Sequence, residues 1–231
     1  MAKNLNRNIT GAKRNSGKSE QLIVSSTVIK RLPRYYRYLR QLLASDTRRI
    51  SSGELSKMMN VTASQIRQDF NCFGGFGQQG YGYNVKYLYT KIGELLGVTS
   101  NLTAVIIGAG NLGSALASSP IFERRGITLL ALFDNNSTII GTDKYGFHVY
   151  DVAFVEDFIK KNEVDIAIIA IPRDFAPEMA EKLANYGVKG LWNFTSAELD
   201  VSKYGVESEN VHLGDSLMTL CYKIANKEEK E

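Results

Sequence analysis

From residue 32 the apolar positions Leu32, Tyr35, Tyr36, Leu39, Leu42 and Leu43 recur every three or four residues. That spacing predicts an amphipathic helix ending near Ser45, with Pro33 tolerated in its first turn. Two short helices follow, and each is announced by a capping pattern, Ser51 with Glu54 and Thr62 with Gln65. Lys57 to Val61 leaves room for only a tight turn between them, so the pair reads as a helix-turn-helix packed on the first helix. In the second short helix Ala63, Ile66 and Phe70 share the inward face, which leaves Ser64, Arg67 and Gln68 pointing outward together. The segment NCFGGFGQQGYGY then interleaves Gly74, Gly75, Gly77, Gly80 and Gly82 with Phe73, Phe76, Tyr81 and Tyr83. It reads as a wing, a glycine-rich hairpin anchored to the helices by its aromatics. A further amphipathic helix is predicted from Asn84 to Leu96, with Gly97 to Asn101 as a linker.

Beyond the linker the texture changes. Thr103 to Gly108, Ile127 to Phe133, Val164 to Ile171 and Val188 to Phe194 are short Ile- and Val-rich runs, the pattern of strands buried on both faces of a parallel sheet. Helices are predicted between them at Asn111 to Ser118, Val152 to Lys161, and Asp174 to Asn185 with Asp174 as the cap. His148 alternates with Phe147 and Val149 as in a short strand. This is a doubly wound α/β arrangement. A last helix, Ser216 to Ala225, carries Leu217, Leu220, Cys221 and Ile224 on one stripe, to bury against its own chain or a partner chain. The expected domains are a flexible basic arm (1–27), a winged-helix domain (28–98), a Rossmann domain (99–213) and a C-terminal dimerisation helix with its tail (214–231).

Composition narrows the classes. With 231 residues, 44% apolar and 23% charged, the chain is ordinary globular material, not disordered throughout. No run approaches the ~18 apolar residues of a membrane span, and the first residues lack a signal-peptide core, so a cytoplasmic protein with no membrane partner is expected. Cys72 and Cys221 form neither a disulfide framework nor a zinc pattern, and no metal is expected. Cys72, between recognition helix and wing, reads as a small apolar residue more readily than as a redox thiol. The net charge of +4 hides a division: residues 1–100 carry 16 Lys+Arg against 5 Asp+Glu, and residues 101–231 carry 12 against 19. A basic half joined to an acidic one fits a polyanion-binding module beside a different kind of domain.

The motif GAGNLG (Gly108, Ala109, Gly110, Asn111, Leu112, Gly113) follows the first of these strands and opens a helix. In that context the first glycine turns the chain, the second admits a pyrophosphate and the third brings helix against strand. Asp134 ends the next strand, 21 residues past Gly113, where a carboxylate accepts from ribose hydroxyls and repels a 2′-phosphate. NADH and NAD+ are the expected cofactors; the competing reading is a sheet that keeps its glycines for packing only. The only histidines, His148 and His212, sit in no catalytic constellation. About 130 residues leave little room for a substrate domain, so no enzyme is expected. The alternative is an NAD-dependent oxidoreductase with an accessory DNA-binding domain.

The runs LPRYYRYLRQL, SSGELSKMMNVTASQIRQDFNCFGGFGQQGYGYNV, VIIGAGNLGSAL, LLALFDNN, AIIAIPRDFAPEMAEKLANYGVKGLWNF and DSLMTLCYKI together resemble the redox-sensing transcriptional repressor family called Rex, from about residue 28 to the C-terminus. The resemblance implies a cytoplasmic homodimer that binds a pseudo-palindromic double-stranded operator, represses fermentation and respiration genes, and releases DNA when NADH binds, NAD+ competing without forcing release. It places Ser51 and Ser52 at the DNA, with Thr62, Ser64, Gln65, Arg67 and Gln68 on the recognition helix, Gly77 in the wing and Lys86 beyond it. Arg40 matches an arginine of an interdomain salt bridge, and the last helix matches one that is domain-swapped. Three departures stand out: Gln78 and Gln79 occupy wing positions that are often basic, Ser119 replaces a tyrosine, and His212 replaces an acid. Both ends of one switch contact have thus changed, with Asp215 as a candidate substitute acid.

Overall fold

The computed structural model describes residues 25–72, 77–78 and 81–226, and its contacts divide the chain into two units, Met1–Leu96 and Gly97–Glu231. Residues 1–24 of the expected arm, the 73–76 and 79–80 parts of the wing, and 227–231 lie outside the described residues.

The first unit runs α1 (Ser26–Ile29), α2 (Leu32–Ala44), β1 (Arg49–Ile50), α3 (Ser52–Met59), α4 (Ala63–Asn71), β2 (Gly77–Gln78), β3 (Gly82–Asn84) and α5 (Val85–Leu95). Helix α1 begins at Ser26, two residues inside the span expected to be a flexible arm, because Val28 finds a buried place. The predicted stripe of α2 is buried at Leu32, Tyr35, Tyr36, Leu39 and Leu42. Strands β2 and β3 form the antiparallel hairpin of the wing, and β1 pairs with the other edge of β3. Tyr83 is buried edge-on against Phe70, centroids 5.0 Å apart, so at this position the hairpin is anchored to α4.

The second unit runs β4 (Leu102–Ile107), α6 (Asn111–Ala117), β5 (Ile127–Asp134), β6 (Asp143–Lys144), β7 (Phe147–Asp151), α7 (Val155–Asn162), β8 (Ile166–Ile169), α8 (Ala176–Tyr186), β9 (Gly190–Asn193), β10 (Glu207–Asn210) and α9 (Leu213–Ala225). Its sheet has the order β10-β9-β8-β4-β5-β7-β6, parallel except for the β6–β7 pair. Alternation along the strands separates two cores. Val105, Ile107, Ala131 and Phe133 face one layer, while Ala104, Ile106 and Leu132 face the other. Strand β4 sits between β5 and β8, so the chain reverses direction across the sheet at the β4–β8 boundary, where open α/β sheets place their ligand crevice.

Several expected boundaries move. The strand read as Val164 to Ile171 shortens to β8, because Asp165 turns its side chain to the backbone and side chain of Thr103. The helix read from Val152 opens as a 3-10 turn capped by Asp151, and α7 starts at Val155. Asp174 does not cap α8: it lies inside a 3-10 turn, Arg173–Phe175, and Phe175 takes the cap position ahead of Pro177 in the first helical turn. Helix α9 starts at Leu213 instead of Ser216, which puts Asp215 in the first turn, where an acid suits the helix dipole. Strand β10, Glu-Ser-Glu-Asn, was not anticipated, since an exposed polar edge carries no hydrophobic signal.

Candidate functional site

In the first unit the candidate site is the outer face of α3 and α4. Ser51 caps α3 reciprocally with Glu54: the Ser51 N–H and hydroxyl donate to Glu54 Oε2 at 2.8 and 2.7 Å, and the Glu54 N–H donates to Ser51 Oγ at 3.1 Å. These hydrogen bonds from Ser51 hold the Glu54 carboxyl below its usual range. Asn60 ends α3 in the left-handed region, so the chain turns within three residues to Thr62, whose hydroxyl accepts from the Gln65 N–H. Only half of the second expected capping pattern forms. The Gln65 side chain does not return to the helix start; its Nε2 donates to Asp69 Oδ1 at 2.9 Å.

Asp69 is the feature that periodicity alone did not single out. It is 1% exposed and accepts four hydrogen bonds: Arg31 Nε and Nη2 at 2.7 and 2.6 Å, the Tyr35 hydroxyl at 2.7 Å, and Gln65. Burial works against its charge, but the bonds from Arg31, Tyr35 and Gln65 and the Arg31 charge outweigh that and hold the carboxyl below the ordinary range. Burial, with the bond to Asp69, pushes the Tyr35 hydroxyl well up, so it remains a donor. The knot fixes the inward side of α4 to α2. A signal existed in the sequence: an acid between Ile66 and Phe70 on an inward stripe needs a partner.

The outward side is open to solvent. Ser64, Arg67 and Gln68 are exposed, and Arg67 Nη1 donates to Ser52 Oγ at 3.1 Å, bringing the starts of α3 and the middle of α4 together. Lys86 is exposed on α5, Gly77 opens β2, and Arg40 is exposed on α2. Arg48 and Arg49, beside β1, add exposed positive charge, and Arg49 donates to the Tyr81 carbonyl at 3.2 Å. Cys72 is exposed and donates to the Gln68 carbonyl at 3.3 Å.

In the second unit a cleft of about 450 Å³ opens at the ends of β4, β5 and β8, lined by Gly108, Gly110, Asp134, Asn135, Val152 and Pro172 among others. The three glycines have different reasons to be there. Gly108 has φ +100°, and a Cβ on it would lie 2.4 Å from the Ala170 carbonyl oxygen. A Cβ on Gly113 would lie 1.8 Å from the Gly108 carbonyl oxygen. Those two are demanded by the fold. A Cβ on Gly110 would meet nothing within 4 Å. The packing of the protein itself does not require that glycine.

Asp134 ends β5 as expected, and its carboxylate is also used within the chain: Oδ2 accepts from the Ala109 N–H at 2.7 Å and Oδ1 from Asn136 N–H at 2.9 Å. Each oxygen retains a lone pair for a further donor. Lys144 was missed: from β6 its Nζ donates to the Ala109 carbonyl at 2.7 Å, across 35 residues of sequence. Asn111 and Leu112 begin α6 behind Gly110, which offers no side-chain cap.

The cleft lining contains neither histidine. His148 pairs with Asp143 on the β6–β7 ladder at 2.8 Å, and His212 lies 3.4 Å from Glu198 at the root of α9. The titratable pair at the cleft rim, Glu178 and Lys182, is ion-paired at 2.7 Å, which lowers the acid and raises the base. That is the opposite of the tuning a general acid or base needs near neutral pH. Ser119 borders a separate cleft with Pro120 and Phe122, and Asp215 is exposed in the first turn of α9.

Among the described residues no group of His, Cys, Asp and Glu is arranged to hold a metal, and no helix is long and apolar enough to cross a membrane. Helix α9 buries none of its residues; Leu213, Leu217, Met218, Leu220, Tyr222 and Ile224 are 52 to 69% exposed. At ~100° per residue its apolar positions sweep roughly 200° of the circumference, wider than the ~100° stripe that one packing surface covers.

Two family models match, one described as "Putative DNA-binding protein N-terminus" over residues 23–71 and one as "CoA binding domain" over residues 99–197. A protein of Thermoanaerobacter sp. (strain X514) named redox-sensing transcriptional repressor Rex is 51% identical over 211 residues, covering 91% of this chain and 93% of its own. The protein of the same name from Clostridioides difficile is 52% identical over 199 residues, 86% of this chain and 94% of its own. Among solved structures, that of RSP in complex with β-NAD+ and operator DNA superposes with a TM-score of 0.84 at 51% identity, covering 89% of this chain and 94% of that one. RSP in complex with β-NADH gives 0.82 at 48% identity, covering 89% and 96%.

Proposed function

The chain belongs to the Rex family of redox-sensing transcriptional repressors, and from that premise we propose that it binds operator DNA as a homodimer in the cytoplasm and lets go when NADH occupies its Rossmann units. It is not an enzyme: relatives at 49 to 52% identity carry the name of a repressor. The proposed domains are the winged helix, 28–98, the Rossmann domain, 99–213, and a dimerisation helix from 214. The observation that carries the reading is Gly110, a glycine that the fold leaves unexplained and a dinucleotide explains, in the same chain as a helix-turn-helix with its outward side chains exposed.

The proposed DNA contacts are Ser64, Arg67 and Gln68 toward the bases, with Ser51, Ser52, Thr62, Gly77 and Lys86 toward the phosphates. Gln65, committed to Asp69, acts at the edge of this set. The loop Gly108–Gly113 and Asp134 hold the cofactor, and a carboxylate at 134 favours a dinucleotide without a 2′-phosphate. The cofactor supplies no reaction here, only a difference in affinity between two arrangements of the protein. Two recognition helices reach successive half-sites only if held ~34 to 36 Å apart, so a dimer that NADH draws into another spacing loses its operator. By linkage the operator weakens NADH binding by the same factor. The exposed α9, apolar over more than half its girth, is the proposed dimer element.

The test is operator displacement measured across NADH/NAD+ ratios at fixed total nucleotide. Release that follows NADH, with NAD+ opposing it, supports the sensor. Steady oxidation of NADH with a carbonyl metabolite would instead favour the oxidoreductase.

A further inference from the structure

One residue of the glycine loop, Ala109, has the two peptides that flank it gripped by side chains of opposite charge. The Ala109 N–H donates to Asp134 Oδ2 at 2.7 Å, and the Ala109 carbonyl accepts from Lys144 Nζ at 2.7 Å and from Ser114 Oγ at 2.9 Å. Ala109 itself is fully buried. Lys144 is delivered by β6, a two-residue edge strand without an apolar residue, joined to the sheet only through β7 in the register Asp143↔His148 and Lys144↔Phe147. The two residues linking β6 to β7, Tyr145 and Gly146, have φ of 53° and 85°, the pattern of a tight two-residue hairpin turn directly after Lys144.

We propose that Lys144 is a positioning residue for the diphosphate of the dinucleotide, acting through the orientation of the Ala109–Gly110 peptide. The inference rests on the dinucleotide reading given above. A trans peptide is planar, with its C=O and N–H pointing in opposite directions. Holding the Ala109 carbonyl against Lys144 and Ser114 therefore turns the Gly110 N–H away from them, on the side where Gly110 lines the cleft. Asp134 treats the preceding peptide the same way. By taking the Ala109 N–H it turns the Gly108 carbonyl around, toward Gly113. Without the ammonium the Ala109 carbonyl keeps only a neutral hydroxyl donor, roughly half as strong as a charge-assisted one. A peptide released to rotate would show the diphosphate a carbonyl oxygen in place of a donor.

The test compares wild type, Lys144→Met and Lys144→Arg for binding of NADH, ADP-ribose and adenosine, with thermal melting of each ligand-free protein. Lys144→Met is expected to lose about tenfold in affinity for NADH and ADP-ribose alike, to keep its adenosine affinity and melting temperature, and Lys144→Arg to recover most of the loss. Unchanged NADH affinity in Lys144→Met overturns the proposal. So does an equal loss of adenosine binding, the signature of a loop that has merely loosened. Wild-type protein that binds no NADH overturns the dinucleotide reading itself and the positioning role with it.

Discussion

Helix α4 and the glycine loop, the two proposed binding elements, are held in different ways. Helix α4 offers side chains, and its support lies on the opposite face, where Asp69 collects Arg31, Tyr35 and Gln65. The loop offers backbone, and its support grips that backbone directly through Asp134 and Lys144. Where side chains do the contacting, support and contact are separable by substitution. Where the backbone does it, a side chain matters chiefly through the space it takes or the peptide it turns.

The sharpest way to break the first half of this comparison is Asp69→Ala. Removing one member of a buried charge network costs about 3 to 5 kcal/mol, toward the lower end here because Arg31 keeps some solvent. Chemical denaturation should show the loss in the first unit, operator binding should fall with it, and NADH affinity should stay. The same carboxyl gives a pH dependence of definite sign. Its pKa is depressed in the folded protein, so its contribution is present above the unfolded value of ~3.9 and is lost as pH falls through the lower folded value. Melting curves of wild type should decline more steeply below about pH 4 than those of Asp69→Asn.

Next in size is Gly113→Ala. Its new methyl meets a backbone oxygen that cannot swing aside, so a loss of about 1 to 3 kcal/mol in the second unit is expected, with weaker NADH binding. Arg67→Ala should reduce operator affinity by about 1 to 3 kcal/mol while thermal stability and NADH affinity hold. Gly110→Val should be the mildest for the fold, about 1 kcal/mol from the poorer cap on α6, yet it should leave a repressor that ignores NADH. If Gly110→Val responds normally to NADH in a gel-shift titration, the backbone account of the loop is wrong.

What could be read from the chain follows the range over which each feature acts. The α2 stripe, the α3 cap, the three glycines and Asp134 are local patterns, and each stands where its spacing put it. The Asp69 knot joins residues 38 and 34 positions apart, and Lys144 reaches Ala109 across 35; no local period encodes such meetings. Asp174 was read as a cap because its residue type suits one, but the 3-10 turn before α8 moved the helix start past it. Strand β10 escaped because pairing with β9 through main-chain bonds asks nothing of its side chains.

The two sides of α4 carry different loads. The side chains of Ser64, Arg67 and Gln68 make no hydrogen bond to Asp69, which gathers Arg31, Tyr35 and Gln65 on the inner side. Substitution at these three positions is therefore expected to leave the anchoring of α4 in place, so the outer surface of the helix can be rewritten without loosening its seat.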